Sequence, residues 1–382
     1  MFQVGVIGRI VGYDYILAES VLKNGLSCVV FRPHDKNGSG LRDYCTRKSS
    51  FSECLGKENI YLFKTPLDLF RQAKKCRLII DINLGLLSGL RHLFFLRFLP
   101  FFPPIINLTT GSDIMELIAQ KRALSCLYRF HLKTSSLTWT APYPHALKNL
   151  IRYKIFNAVF LRYPYYLERQ ELTGRKPGEE IIFFHPSHLD WKVNDPGAHR
   201  VSAKGSDRFI RAFIRAVREG LKAKCVILYR GSDRDEAKKI IRAERMEDFF
   251  IWKGHLTRDE LFQQYADSDV VVDQFDVGGV GMISCEAMSV GKPVLVYLHQ
   301  DSARLLYGQD LPPILNCSSE DEIYSQIIKC GDRDYIKQKG EECRAWVFRN
   351  HDGRTCMDDF LFYYSLITGD TVKDYVSVKP CP

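Results

Sequence analysis

The sequence predicts an α/β protein built from two doubly wound parallel sheets that face each other across a cleft. Three observations carry this expectation. Short β-branched or aromatic runs alternate with longer helical patterns from end to end. The alternation falls into two series of roughly equal length, and each repeats the βαβ unit of an open parallel sheet. Between them, residues 171–180 read ELTGRKPGEE, a polar stretch with Gly and Pro that suits a linker. At 382 residues the chain is long enough for two cores of ordinary size.

In the first series the expected strands are Gln3–Gly8, Ser27–Phe31, Arg77–Asn83, Ile105–Thr109 and Ala158–Arg162, with a helix over Ile114–Phe130. In the second they are Ile181–His185, Cys225–Tyr229, Phe249–Trp252, Asp269–Gln274 and Val294–Tyr297. Helical spacing covers Asp207–Gly220, Asp233–Glu244, Thr257–Ala266 and Met282–Val290. The expected domains are 1–175 and 176–350. Residues 351–382 supply a last helix, Arg354–Ile367, that crosses back to the first domain, and a tail.

Composition narrows the classes. Hydrophobic residues make up 46% and charged residues 26%, which excludes a disordered or fibrous chain. No apolar window is long enough to span a bilayer, and the N-terminal residues lack the parts of a signal peptide. The 12 cysteines show no Cys-x-x-Cys pair and no zinc spacing, so reduced thiols in a cytoplasmic protein are expected. Residues 1–175 carry 25 Lys+Arg against 12 Asp+Glu, a net of +13, whereas the rest of the chain nets −4. A basic front half suits an anionic membrane surface or nucleic acid. No nucleic-acid module is recognisable, so nucleic acid ranks last.

The most informative stretch is Asp269–Val296, DVVVDQFDVGGVGMISCEAMSVGKPVLV. A buried strand runs into a glycine-rich turn, Gly278-Gly279-Val280-Gly281, and a helix opens at Met282. Glycines let backbone N–H groups close around an anion, and the helix N-terminus adds partial positive charge. Glu286, about one turn into that helix, suits ribose hydroxyls; the bland alternative is a tight turn with an exposed glutamate. Two Asp-x-Asp triplets, Asp233-Arg234-Asp235 and Asp332-Arg333-Asp334, read as first-turn acids rather than a metal site, and no metal is expected.

This stretch resembles the donor-nucleotide motif of retaining GT-B glycosyltransferases, the large family 4 and its relatives. That motif runs glutamate, seven residues, glutamate, then Ala-Met-Ala-x-Gly-x-Pro-Val. Glu286 matches the second glutamate, Gly279 and Gly281 match the diphosphate glycines, and Gly278 stands at the first glutamate. Asp273-Gln274-Phe275 resembles a subgroup of bacterial surface-polysaccharide transferases. HPSHLDW at 185–191, followed by Lys204-Gly205-Ser206-Asp207, resembles the segment whose arginine and lysine pair with the donor diphosphate. Lys204 matches the lysine, and His188 or Arg200 takes the arginine's place. Trp252-Lys253-Gly254-His255 resembles the nucleobase loop. In the front half, Gly5-Val6-Ile7-Gly8-Arg9 leading to Gly12 resembles the first glycine loop, and Thr110-Gly111-Ser112-Asp113 a His-Gly-Ser/Thr-Asp segment.

The resemblance implies two Rossmann-like domains and a nucleotide-diphosphate sugar donor, with UDP or GDP, but no resident cofactor. Implied catalytic residues are Lys204, Glu286 and Asp113. Implied donor contacts are Gly279, Val280, Gly281, Met282, Gly254, Gly8 and Gly12, with His188 or Arg200. The implied acceptor is a glycan or lipid-linked glycan, met at the inner face of the membrane. A sugar-nucleotide epimerase of the same fold, or a non-catalytic nucleotide-sugar-binding partner subunit, are the alternatives. Residues 84–106, LGLLSGLRHLFFLRFLPFFPPII, mix Leu and Phe with Arg91, His92 and Arg97, and read either as core or as an interfacial segment.

Overall fold

The computed structural model describes residues 2–8, 12–34, 55–86, 91–120, 123–176, 178–192 and 203–371. It divides into two compact units. One comprises Met1–Pro142, Ala146–Tyr165 and His351–Pro382; the other comprises Tyr143–His145 and Tyr166–Asn350.

The first unit holds strands β1 (Phe2–Ile7), β2 (Cys28–Pro33), β3 (Ile60–Phe63), β4 (Cys76–Ile82), β5 (Ile105–Leu108), β6 (Leu137–Thr140) and β7 (Ala158–Phe160). They form one sheet in the order β3-β2-β1-β4-β5-β6-β7, parallel throughout. The second unit holds β8 (Ile181–His185), β9 (Ala223–Leu228), β10 (Phe250–Lys253), β11 (Val270–Val272), β12 (Val294–Val296) and β13 (Leu315–Asn316). Their order is β10-β9-β8-β11-β12-β13, again parallel. Central strands such as FQVGVI, CRLIIDI and AKCVIL are nearly continuous apolar runs because helices cover both faces of a parallel sheet.

Three strands escape the sequence pattern. Ile60–Phe63 is short and largely half-buried, and Leu315–Asn316 is only two residues long. Leu137–Thr140, LTWT, is buried along its length despite two threonines. There the Thr109 hydroxyl donates to that of Thr140 at 2.8 Å, and Trp139 stacks on Tyr163 and Phe360 with centroids 5.8 Å away in each case. Phe360 lies on the helix Asp358–Thr368, which packs within the first unit.

The continuous helix expected over Ile114–Phe130 is corrected to three pieces: Ser112–Met115, a 3-10 turn at Leu117–Ala119, and Ala123–Thr134. The Asn149 amide donates to the carbonyls of Ile114 (3.0 Å) and Met115 (2.9 Å), acceptors that an unbroken helix would use itself. The segment 84–106 also divides. Arg91–Phe98 forms a 3-10 helix before β5; Phe94 and Phe102 are buried, whereas Phe95, Phe98 and Phe101 are exposed. Arg97 is buried among His131, Ser135 and Thr134, and His131 reaches the Asp81 carboxylate at 2.6 Å. This polar network pins the segment to β4, because a buried charge is tolerated only when it is paired.

Trp139→Ala removes a fully buried ring and the indole bond to the Leu161 carbonyl at 3.0 Å. It should lower unfolding free energy by about 3–5 kcal/mol in urea denaturation. A loss below about 1 kcal/mol would mean that this stack is not the core of the first unit.

Candidate donor-binding site

In an open parallel sheet, ligands bind where strand order reverses, because the two loops diverging there leave a crevice. In the second unit that point lies between β8 and β11. The loops leaving these strands are 186–205 and 273–281, the two stretches singled out in the sequence.

Asp273 and Gln274, directly after β11, shape both loops. The Asp273 carboxylate accepts from the Ser187 hydroxyl at 2.7 Å and the Ser284 hydroxyl at 2.6 Å. It thus ties the β8 loop to the helix Met282–Ser289. The Gln274 side chain donates to the Gly279 carbonyl (2.8 Å) and accepts from the Val277 (2.6 Å) and Asp276 (3.1 Å) amides. It fills the turn like a mould. Gly278 has φ +81°, which only glycine adopts without strain, and a Cβ on Gly279 would lie 2.2 Å from the Tyr143 ring. A Cβ on Gly281 would meet nothing within 4 Å, so one side of the turn is open. Val280 is buried beneath it, and Gly281 caps the helix with no side-chain hydrogen bond. The first helical N–H groups, from Met282 onward, have no acceptor within the helix itself.

The second loop supplies cations. The Lys204 amide donates to the Asp190 carbonyl (2.6 Å), and its carbonyl accepts from the Phe275 amide (2.8 Å), stitching the loop to the glycine turn. Its ammonium makes no ion pair among the described residues. His188 lies half-exposed, with Nδ1 3.6 Å from Asp190. Partial burial first, and then the Arg230 and Lys204 charges, hold its pKa below the ordinary value against the pull of Asp190. Arg200 lies outside the described residues.

Arg230, two residues past β9, was missed in the sequence. Its Nε is buried without a hydrogen-bond partner, and burial lowers its pKa. The group feels Tyr265, Asp273, Asp190 and Glu286, so it stands at the centre of the same loops. The available signal was its place: a cation at the carboxyl end of a strand beside the reversal point.

Glu286 is not the exposed glutamate of the bland alternative. It is buried; Arg258 pairs with Oε1 at 2.7 Å and the Tyr265 hydroxyl donates to Oε2 at 3.3 Å. Arg258 itself lies 4.6 Å over the Tyr166 ring. Gly254, just past β10, is open on its Cβ side.

In the first unit, the implied residues have structural work of their own. A Cβ on Gly8 would lie 2.6 Å from that of Ile82, so the end of β1 packs directly on β4. Gly12, at φ +71°, caps the helix Tyr13–Lys23. Arg9 lies outside the described residues. Asp113, implied as a catalytic residue, organises a turn. Its buried carboxylate accepts from the Thr110, Gly111 and Ile114 amides at 2.9–3.0 Å and from the Tyr128 hydroxyl at 2.9 Å. Burial raises its pKa, against the pull of those donors. The Asp-x-Asp triplets are local as well: Asp233 accepts from the Trp191 and Lys192 amides, and Asp332 from the Asp334 and Tyr335 amides. Among the described residues no three potential ligands form a metal cluster. No helix among them is long and apolar enough to cross a membrane.

Gln274→Ala should cost about 2–3 kcal/mol, since four bonds go, one of them to the Tyr297 carbonyl at 3.3 Å, and buried groups are left unpaired; it should also speed exchange of the Val277 amide. Wild-type protection at Val277 would show that the turn does not depend on this side chain. His185, at the end of β8, is buried and its pKa falls from 6.5 to about 4. Between those values the unfolded chain binds more protons than the native one, so this group's contribution to stability is lost as pH falls through that window. At 1.36 kcal/mol per unit the loss reaches about 3 kcal/mol. The gap between wild type and His185→Leu in urea unfolding should therefore shrink by that amount from pH 7 to pH 4. A gap independent of pH would contradict it.

Residues 198–304 match the family model described as glycosyl transferases group 1. No curated protein matches the chain by sequence. Among solved structures, a glycosyltransferase from Rickettsia africae ESF-5 superposes with a TM-score of 0.64 at 14% identity, covering 97% of this chain and 99% of that one. Anabaena Alr3699/HepE, solved with UDP-glucose, gives 0.63 at 14% identity over 96% of this chain and 100% of that one. S. aureus TarM, solved with fondaparinux, alpha-GlcNAc-glycerol and UDP, gives 0.56 at 13% identity and covers 78% of this chain. The chain spans 58% of the length of that TarM structure. These likenesses show the GT-B fold, and within it residues 198–304, in the second unit, resemble the glycosyl transferases group 1 model.

Proposed function

We propose that the chain transfers a hexosyl group from a UDP- or GDP-sugar to a hydroxyl of a glycan or lipid-linked glycan, with retention. One observation carries the reading: the open glycine turn, the helix N-terminus at Met282 and Lys204 converge where the strand order of the second sheet reverses. The backbone amides from Gly279 to Met282, with Lys204 and Arg230, take the diphosphate. Glu286, fixed by Arg258 and Tyr265, faces the ribose, and the loop at Gly254 borders the nucleobase.

The chemistry follows from that charge distribution. As the bond from the sugar's anomeric carbon to the diphosphate breaks, negative charge grows on the leaving oxygens while the sugar becomes oxocarbenium-like. Preorganised N–H dipoles and cations stabilise the first without reorganising. The acceptor oxygen then bonds to the anomeric carbon on the face the diphosphate leaves, and its proton passes to a departing phosphate oxygen. No protein carboxylate is needed as nucleophile, and the helix terminus and cations carry the phosphate charge without a metal. A lipid-linked acceptor brings the basic first unit to the inner face of an anionic membrane.

Lys204→Ala and Glu286→Gln should each weaken donor use by on the order of 2–4 kcal/mol, measured in EDTA as nucleoside diphosphate released only when acceptor is present. Lys204→Ala should affect diphosphates more than nucleosides, and Glu286→Gln both. Wild-type turnover in the two variants would place the donor elsewhere.

A further inference from the structure

From residue 117 to residue 167 the chain contains eight Lys or Arg and no Asp or Glu. Cations without acidic neighbours in sequence must find partners in space or keep their charge for something else. Four of them surround one surface pocket of the first unit, with a cavity volume of about 360 Å³: Arg129, Lys133, Arg152 and Lys154. No acid lines it; Cys126, Phe130 and Tyr153 complete the wall.

The pocket is ordered by its own chemistry. The Arg129 guanidinium donates to the Ile118 carbonyl at 2.9 Å and lies 4.8 Å over the Tyr153 ring. Arg152 approaches the same ring at 5.6 Å. One aromatic ring thus holds two guanidinium groups at the pocket wall. Phe130 joins the pocket to an exposed aromatic group: its ring lies 5.6 Å from Phe98 and 6.5 Å from Phe95. Next to the lining residues in the chain, Ile151 and Phe156 are 75% and 83% exposed.

We propose that this pocket is a headgroup site for an anionic phospholipid, taking its phosphate between the four cations while the surrounding aromatic and aliphatic side chains enter the headgroup–acyl boundary. Charge complementarity selects this occupant. A pocket of four cations without an acid fits a phosphate, and exposed Phe and Ile flanking it fit the apolar layer directly beneath a lipid phosphate. The site deepens the membrane-facing part of the proposed function and does not involve the donor site.

The test is co-sedimentation with phosphatidylcholine vesicles, with and without phosphatidylglycerol, at low and high sodium chloride. The protein should bind only the anionic vesicles and be released by salt. Lys133→Gln with Lys154→Gln should weaken binding by about thirtyfold, as expected for two cations near a charged surface. Lys222→Gln with Lys329→Gln makes the same charge change on exposed lysines of the second unit and should leave binding intact. Thermal stabilisation by UDP or GDP, whichever acts on the wild type, should persist in both variants and so separates failure of the lipid site from failure of the donor reading. Equal binding to neutral vesicles would overturn the proposal, as would equal loss in the two double variants. Full displacement by inorganic phosphate at matched ionic strength would assign the pocket to a free ion and also overturn it.

Discussion

The Asp273 carboxylate, held by Ser187 on one side and Ser284 on the other, is the contact on which the candidate donor site rests. It sits at the end of β11, where the second sheet reverses direction, and one charge serves two chain segments there. Ser187 belongs to the loop that leads to Lys204, and Ser284 to the first turn of the helix that opens at Met282. Because both hydroxyls are buried, losing the carboxylate would leave two unsatisfied donors as well as two loose loops. Gln274 then shapes the turn from within, and the glycines follow from that geometry. Gly278 is set by its positive φ and Gly279 by the Tyr143 ring.

Electrostatics divides the site into two layers. Deep in the unit, charges are paired: Glu286 with Arg258, and Asp273 with its two serines. Nearer the open side stand Lys204 and Arg230, brought together by the β8 and β9 loops through Asp190, which accepts from both the Ser232 amide and hydroxyl. Charges placed before a ligand arrives need no rearrangement when negative charge builds on a departing diphosphate. In the first unit the acids do structural work instead. Asp113 organises the start of a helix, and Asp81 with His131 and Arg97 anchors the segment that exposes Phe95 and Phe98.

The two parallel sheets were legible because strand runs of four to seven residues alternate with helical spacing, a signal that needs no tertiary information. The glycine turn was legible for the same reason. What the sequence hid depends on partners far along the chain. Asn149 interrupts the helix after Ile114 from 35 residues away, and Ser187 reaches Asp273 across 86. Periodicity carries no record of such bonds. The burial of Glu286 left a trace that went unread: its helix, MISCEAMS, is apolar or small on every side, the mark of a helix buried all round. Arg230 left less, since a cation after a strand is common, and only the strand order shows which strand ends border the crevice.

Thermal unfolding of the wild-type protein with UDP, GDP, uridine and guanosine tests the central claim most directly, because a ligand that binds only the folded state raises the transition in proportion to its saturation. The diphosphate of one base should raise the transition clearly, and its nucleoside should do so far less, since the turn, Lys204 and Arg230 act on phosphate. Equal shifts for nucleoside and diphosphate, or no shift with any of them, would contradict a diphosphate site at the Asp273-anchored turn.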